Sequence, residues 1–204
     1  MSINGFYRLF PTVVGDATRE DLVKPVQKVI DSLSENDWAK YTSKSVNVLQ
    51  KHPKIKKEFT KTVKEFLRLG MLIQQDITMT TSWLTKNTPS MFAEHKHRHT
   101  NCWYSAVFYL QDNSHIKFER DNPQIYVAPK EWNMDNSSTY TLVGKKGTLF
   151  IFPSFTFHTP IKGDNNHDIR YSLAMNFMPV GHMGDPDGDS QVIQRLEKIN
   201  VQTN

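Results

Sequence analysis

The apolar positions of this chain change period along its length. Leu22, Val26, Val29, Ile30 and Leu33 recur at three- and four-residue intervals, the stripe of an amphipathic helix. Pro25 falls in the first turn of that stripe, where a missing N–H costs least. A second stripe, Ile55, Phe59, Val63, Phe66 and Leu67, predicts another helix ended by Gly70. The region up to about residue 70 is therefore expected to form a helical layer. From residue 71 to about 180 the period shortens to that of β-strands. Candidate strands cover 71–85, 101–111, 115–120, 139–143, 147–153 and 169–180, with turn residues clustered between them. Six strands without intervening helices predict a mainly β chain with flanking helices: a sandwich, barrel or jelly roll, not a doubly wound parallel sheet. Residues 181–204 read as a polar loop and a short C-terminal helix carrying Val192, Ile193, Leu196 and Ile199 on one side.

Composition narrows this picture. At 204 residues, with 38% hydrophobic and 23% charged positions, the chain is expected to form one domain over 1–204. Twelve Phe, seven Tyr and four Trp exclude a disordered class. Cys102 is the single cysteine, which rules out a disulfide scaffold and a thiolate zinc finger and points to a reducing compartment. The cytoplasm is the expected location. The opening residues lack a signal-peptide pattern and no 18 consecutive apolar residues occur, so neither secretion by that route nor membrane association is expected. The net charge of +4 sits largely in residues 51–70, whose lysines form the wet face of the second helix. Nucleic acid is accordingly not an expected partner.

The candidate chemistry lies in two segments. In extended chain, His95, His97 and His99 share one face while Glu94, Lys96 and Arg98 share the other. Two imidazoles two residues apart can reach one metal ion, with a third ligand supplied by a distant strand. Parity alone permits His95 with His97 or His97 with His99, and clustered histidines also suit a solvated turn. Farther on, His158 follows the apolar run 147–153, and twelve residues later Arg170, Ser172, Ala174 and Asn176 fall on one strand face. A guanidinium with a hydroxyl two residues away suits the carboxylate of a small dianionic ligand. The alternative is an Arg170 paired with a nearby Asp and a His158 packed in the core.

Taken together, these segments resemble the 2-oxoglutarate/Fe(II)-dependent oxygenase superfamily, in particular its small prolyl-hydroxylase-like members common in bacteria and phages. RLFPTVVG is similar to the group's opening Leu-Phe-Pro strand and SWLTKN to the strand before the metal ligands. HRHTNCWYSAVFYLQ carries His-x-His followed, six residues after the second His, by a segment similar to Ser-Gly-Val-Tyr-Tyr-Leu. KFER, GTLFIFPSFTFH and RYSLAMNF match the later Phe-Glu, distal-His and Arg-x-Ser segments in order and spacing.

The resemblance implies a double-stranded β-helix, a cupin-like jelly roll with the metal at one open end. It implies Fe(II) held by His97, His99 and His158, 2-oxoglutarate as co-substrate clamped by Arg170 and Ser172, and dioxygen as oxidant. Asn176, on the Arg170 face, is a further candidate for contact with 2-oxoglutarate or substrate. No catalytic side chain beyond the metal centre is needed, and the expected reaction is hydroxylation of a substrate still to be identified. The family usually has Asp or Glu where His99 stands. Here His99 either ligates the ion, leaving the site more cationic, or stands beside a metal completed by water. Trp83, Trp103, Tyr104, Phe108 and Tyr109 line the cavity or simply fill the core. Two other readings stay open: a non-enzymatic jelly-roll binding or structural module, and a three-histidine cupin-type dioxygenase that does not use 2-oxoglutarate. The oligomeric state is open as well, a homodimer included.

Overall fold

A computed structural model describes residues 11–88, 95–120, 129–161, 169–183 and 194–196. Its strands form two sheets. The larger runs in the order β1 (Gly15–Thr18), β8 (Thr148–Pro153), β5 (Tyr104–Tyr109), β10 (Arg170–Met183), β4 (Asp76–Asn87), β3 (Thr42–Ser43) and β2 (Trp38–Ala39), with β11 (Gln194–Leu196) pairing β10. The smaller holds β6 (Ser114–Glu119) between β7 (Thr139–Gly144) and β9 (Phe157–Ile161). This is the expected double-stranded β-helix, with helices α1 (Val23–Asp31) and α2 (Pro53–Gly70) flanking the larger sheet.

Strand alternation divides the larger sheet into a dry face and a site face. Tyr104, Ala106 and Phe108 of β5, Leu149 and Ile151 of β8, and Leu173, Met175 and Phe177 of β10 pack against Val26, Val29, Phe59, Val63 and Leu67 of the helices. The contact includes an edge-to-face pair of Phe59 and Phe108 with centroids 5.1 Å apart. Each such large apolar side chain, once buried, stabilises the fold by about 1.5–3 kcal/mol. The intervening residues face the smaller sheet, where Tyr109, Phe150 and Phe152 meet Ile116 and Phe118 in a second cluster.

An irregularity in β4 re-aims one wall of the site. Asn176 pairs Thr81 but Phe177 pairs Met79, so Thr80 is an extra residue, and its hydroxyl donates to the Asn176 carbonyl at 3.2 Å. Before this bulge the odd-numbered Ile77 and Met79 are buried on the helix side; after it the even-numbered Ser82 and Leu84 are. Trp83 and Thr85 are thereby turned onto the site face, opposite Ala174 and Ser172.

The structure corrects the sequence expectation at both ends. The first 70 residues are not a purely helical layer: β1 pairs β8, and the β2–β3 hairpin joins the sheet through Thr42 and Thr85. These strands are only two to four residues long, too short to impose a visible period. At the other end Gln194–Leu196 are extended and pair β10 between Gly181 and Met183, where a helix was expected. The loop before this strand and the residues after it lie outside the described residues. The six expected strands are all present, and β9 is an additional one. Among the described residues no helix is long and apolar enough to cross a membrane.

Candidate metal centre

The three histidines singled out from the sequence converge. Residues 95–100 run extended beside β9, and His97 and His158 form an antiparallel bridge in which each main chain donates to the other, at 3.0 and 2.9 Å. The His99 N–H donates to the Ser154 carbonyl at 2.9 Å, which continues the pairing. Directly opposed residues project to the same face. His97 and His99 therefore turn inward beside His158, while Lys96 and Arg98 turn outward onto the Phe157 ring, 4.7 and 4.8 Å from its centroid. One ring nitrogen from each of His97, His99 and His158 lies within 4.8 Å of the other two. The exposed His95 stacks on His97 at 4.5 Å but stays outside this cluster.

Each imidazole has its Nδ1 beside an oxygen acceptor. His97 Nδ1 lies 3.0 Å from the His95 carbonyl, His158 Nδ1 3.0 Å from the Thr156 carbonyl, and His99 Nδ1 2.7 Å from Asn176 Oδ1. A carbonyl or amide oxygen can only accept, so each Nδ1 carries the hydrogen and each Nε2 keeps its lone pair. Burial depresses all three pKa values below the ordinary imidazole value, His158 to about 3. Desolvation is the first cause in each case, opposed by the hydrogen bond at Nδ1. The centre is thus three neutral imidazoles with aligned donor atoms, a set that fits a borderline divalent transition metal. Phe152 and Phe118 pack against His158 at 4.7 and 6.3 Å, and Trp83 flanks His99 at 5.3 Å.

A cavity of about 510 Å³ opens from the histidines between the two sheets. Arg170 and Ser172 line it. The Arg170 guanidinium donates to the carbonyls of Asn113 at 2.7 Å and Ile161 at 3.1 Å, which orient its plane. Ser172 Oγ lies 2.5 Å from Thr85 Oγ1. Burial raises the phenol of Tyr109, another lining residue, and the positive charge of Arg170 partly offsets that rise. Among the described residues lining the cavity none is a carboxylate, whereas Lys40 and Arg170 are cations. The electrostatic character of the space favours anions.

Comparison with known proteins agrees with this geometry. The sequence profile of a family described as "Putative 2OG-Fe(II) oxygenase" matches residues 81–176, the stretch that carries all three histidines, Arg170, Ser172 and Asn176. Over that stretch, just under half of its length, the chain is similar to the 2-oxoglutarate/Fe(II) oxygenases. Solved structures similar to it include the alpha-ketoglutarate-dependent carbocyclase SnoK from nogalamycin biosynthesis, with TM-score 0.60 and 11% identity over 83% of this chain and 81% of that one. HygX from Streptomyces hygroscopicus, solved with nickel and 2-oxoglutarate, gives TM-score 0.53 and 10% identity over 82% and 83%. A viral collagen prolyl hydroxylase from Paramecium bursaria Chlorella virus-1 gives 0.50 and 11% over 86% and 98%. At these identities the likeness is one of fold. A search of curated proteins gave no match.

The site residues expected from the sequence divide. His97, His99, His158, Arg170 and Ser172 are all on the cavity wall. Asn176 is not among the lining residues, and its amide oxygen lies against His99. Of the five aromatic candidates, Trp83 and Tyr109 line the cavity, whereas Tyr104 and Phe108 are core and Trp103 packs against it. Glu94 lies outside the described residues.

Sequence reasoning missed four contributors. Ser105 and Ser154, both fully buried, stand behind His99; Ser105 was visible as the first residue of SAVFYL, but nothing marked its partner. The β2–β3 hairpin brings Lys40 and Tyr41 to the cavity from the region expected to be helical. Lys40 takes the left-handed turn conformation, φ 57°, without a glycine to announce it.

Proposed function

We propose that His97, His99 and His158 hold Fe(II), that Arg170 with Ser172 binds the far carboxylate of 2-oxoglutarate, and that the enzyme hydroxylates its substrate. The observation that carries this reading is the set of three converging imidazoles whose Nδ1 atoms are all committed to oxygen acceptors. A ferrous ion bound there supplies dioxygen activation coupled to oxidative decarboxylation of 2-oxoglutarate to succinate and carbon dioxide.

The protein's own tasks follow from its residues. The three Nε2 atoms would supply three neutral nitrogen donors to the ion, leaving co-substrate and oxidant to complete its ligands. Arg170 presents a planar cation whose orientation is set before the ligand arrives, which reduces the ordering cost of binding a carboxylate. The Phe118, Phe152 and Trp83 rings keep the histidine end of the cavity apolar and restrict water. We read residues 1–204 as one domain, since a single sheet links β1 to β10, and place it in the cytoplasm, in keeping with its lone cysteine.

The test is anaerobic addition of Fe(II) and 2-oxoglutarate to purified protein, followed by admission of oxygen. A visible charge-transfer band, and succinate formed in step with oxygen consumed, are the expected results. Folded protein giving neither would overturn the reading. Because SnoK is a carbocyclase, product mass is the second readout: hydroxylation adds one oxygen atom, whereas ring closure by C–O or C–C bond formation removes two hydrogens.

A further inference from the structure

His99 is held differently from its two companions. His97 and His158 orient themselves locally, each directing Nδ1–H to the carbonyl two residues earlier in its own strand. His99 makes no such local bond. Its acceptor is Asn176 Oδ1, 77 positions away on β10, at 2.7 Å, with Ser105 Oγ at 2.9 Å. Ser105 and Asn176 are direct cross-strand partners on the site face of β5 and β10. The Ser105 hydroxyl donates to the same Asn176 oxygen at 2.8 Å, and Ser154 Oγ lies 2.8 Å from Ser105 Oγ. Both serines are fully buried.

One assignment of hydrogens accounts for these contacts. Ser154 donates to Ser105, Ser105 donates to Asn176, and the single His99 Nδ1–H points at Asn176 Oδ1 with Ser105 Oγ as its longer, secondary acceptor. A buried polar group costs free energy unless fully paired, so the two buried serines behind the half-buried Asn176 are retained at a cost that apolar packing would avoid. What the network does is specify which nitrogen of a third-ligand imidazole bears the hydrogen, with neutral groups only.

We propose that Asn176, backed by Ser105 and Ser154, is the positioning residue that makes His99 an Nε2 donor and keeps the bound cation at its full charge for anionic ligands. This rests on the three-histidine reading above. Without the amide oxygen, His99 would populate both tautomers and rotate, because among the described residues the only other partner within hydrogen-bonding distance of Nδ1 is the Ser105 hydroxyl, which can donate as readily as accept. A carboxylate in place of the amide would preserve the acceptor while adding negative charge one layer behind the ligand.

The test is titration of the full chain with Co(II) alone, following the visible ligand-field spectrum and the dissociation constant, then titration of the Co(II) protein with 2-oxoglutarate. Asn176→Ala is expected to weaken Co(II) by about 10- to 100-fold and alter the spectrum while leaving the circular dichroism spectrum unchanged. Asn176→Asp is expected to bind Co(II) at least as tightly as the parent but 2-oxoglutarate more weakly. An Asn176→Ala protein with parental Co(II) affinity and spectrum overturns the proposal and leaves the three-histidine site standing. A parent chain that binds no Co(II) overturns both. If Asn176→Ala does not fold, Asn176→Asp decides: a loss of Co(II) affinity of tenfold or more contradicts the positioning role.

Discussion

His97 and His158 exchange two main-chain hydrogen bonds, at 3.0 and 2.9 Å, so a pair of imidazoles 61 positions apart is aligned by backbone and not by side chains. Replacing either imidazole leaves the bridge intact. His97→Ala should therefore abolish divalent-metal binding while the unfolding free energy of the metal-free protein changes by only about 1 kcal/mol, as for a half-exposed side chain. Calorimetric metal titration beside chemical denaturation checks this. A folded His97→Ala protein that still binds Co(II) with parental affinity would remove His97 from the centre.

Arg170 should act on the co-substrate and not on the metal. Arg170→Ala is expected to weaken 2-oxoglutarate by about 10- to 100-fold, the range of a lost charge-assisted carboxylate pair, with Co(II) affinity unchanged. Arg170→Lys, which keeps the charge but not the fork, should fall between the two. Equal 2-oxoglutarate affinity in all three proteins would refute the clamp and favour a dioxygenase that does not use that co-substrate.

The buried imidazoles also make a pH prediction. Their folded-state pKa values lie below the ordinary 6.5, His158 at about 3, because desolvation disfavours the charged form. The unfolded chain therefore takes up protons first as pH falls. Stability of the metal-free protein should be complete above about pH 6.5 and decline from there toward pH 3. His158 alone accounts for about 2 kcal/mol between pH 7 and pH 5. Thermal unfolding across that range measures it, and a melting temperature that does not fall toward pH 5, or that falls equally in His158→Gln, would contradict the assignment.

Deleting Thr80 should be far more damaging than substituting it. The deletion removes the bulge, so either Ile77 and Met79 leave the core, or Ser82 and Leu84 leave it and Trp83 and Thr85 turn against the helices. Loss of cooperative unfolding is the expected outcome, whereas Thr80→Val should fold and melt close to the parent. A deletion variant with parental melting temperature and metal affinity would show that β4 does not depend on the bulge.

Much of this site could be read before any coordinates. The i, i+2 spacing of His97 and His99 places both on one strand face, and the alternation of Arg170, Ser172, Ala174 and Asn176 against Tyr171, Leu173, Met175 and Phe177 separates the cavity side of β10 from its core side. The three-residue turn that separates β9 from β8 hid a strand, and the short β2–β3 hairpin hid a cavity wall. Both contain too few residues for alternation to register.

Local periodicity determined which side chains share a face, because pleat and helical pitch are properties of neighbouring residues. The gathering of His99 rather than His95 with His97 and His158, the hydrogen bond between the Asn176 oxygen and His99, and the turning of Trp83 into the cavity were decided only by the tertiary structure. Each depends on strand register between segments far apart in the chain. Register is set by the packing of whole faces and by one inserted residue in β4, which no local pattern contains.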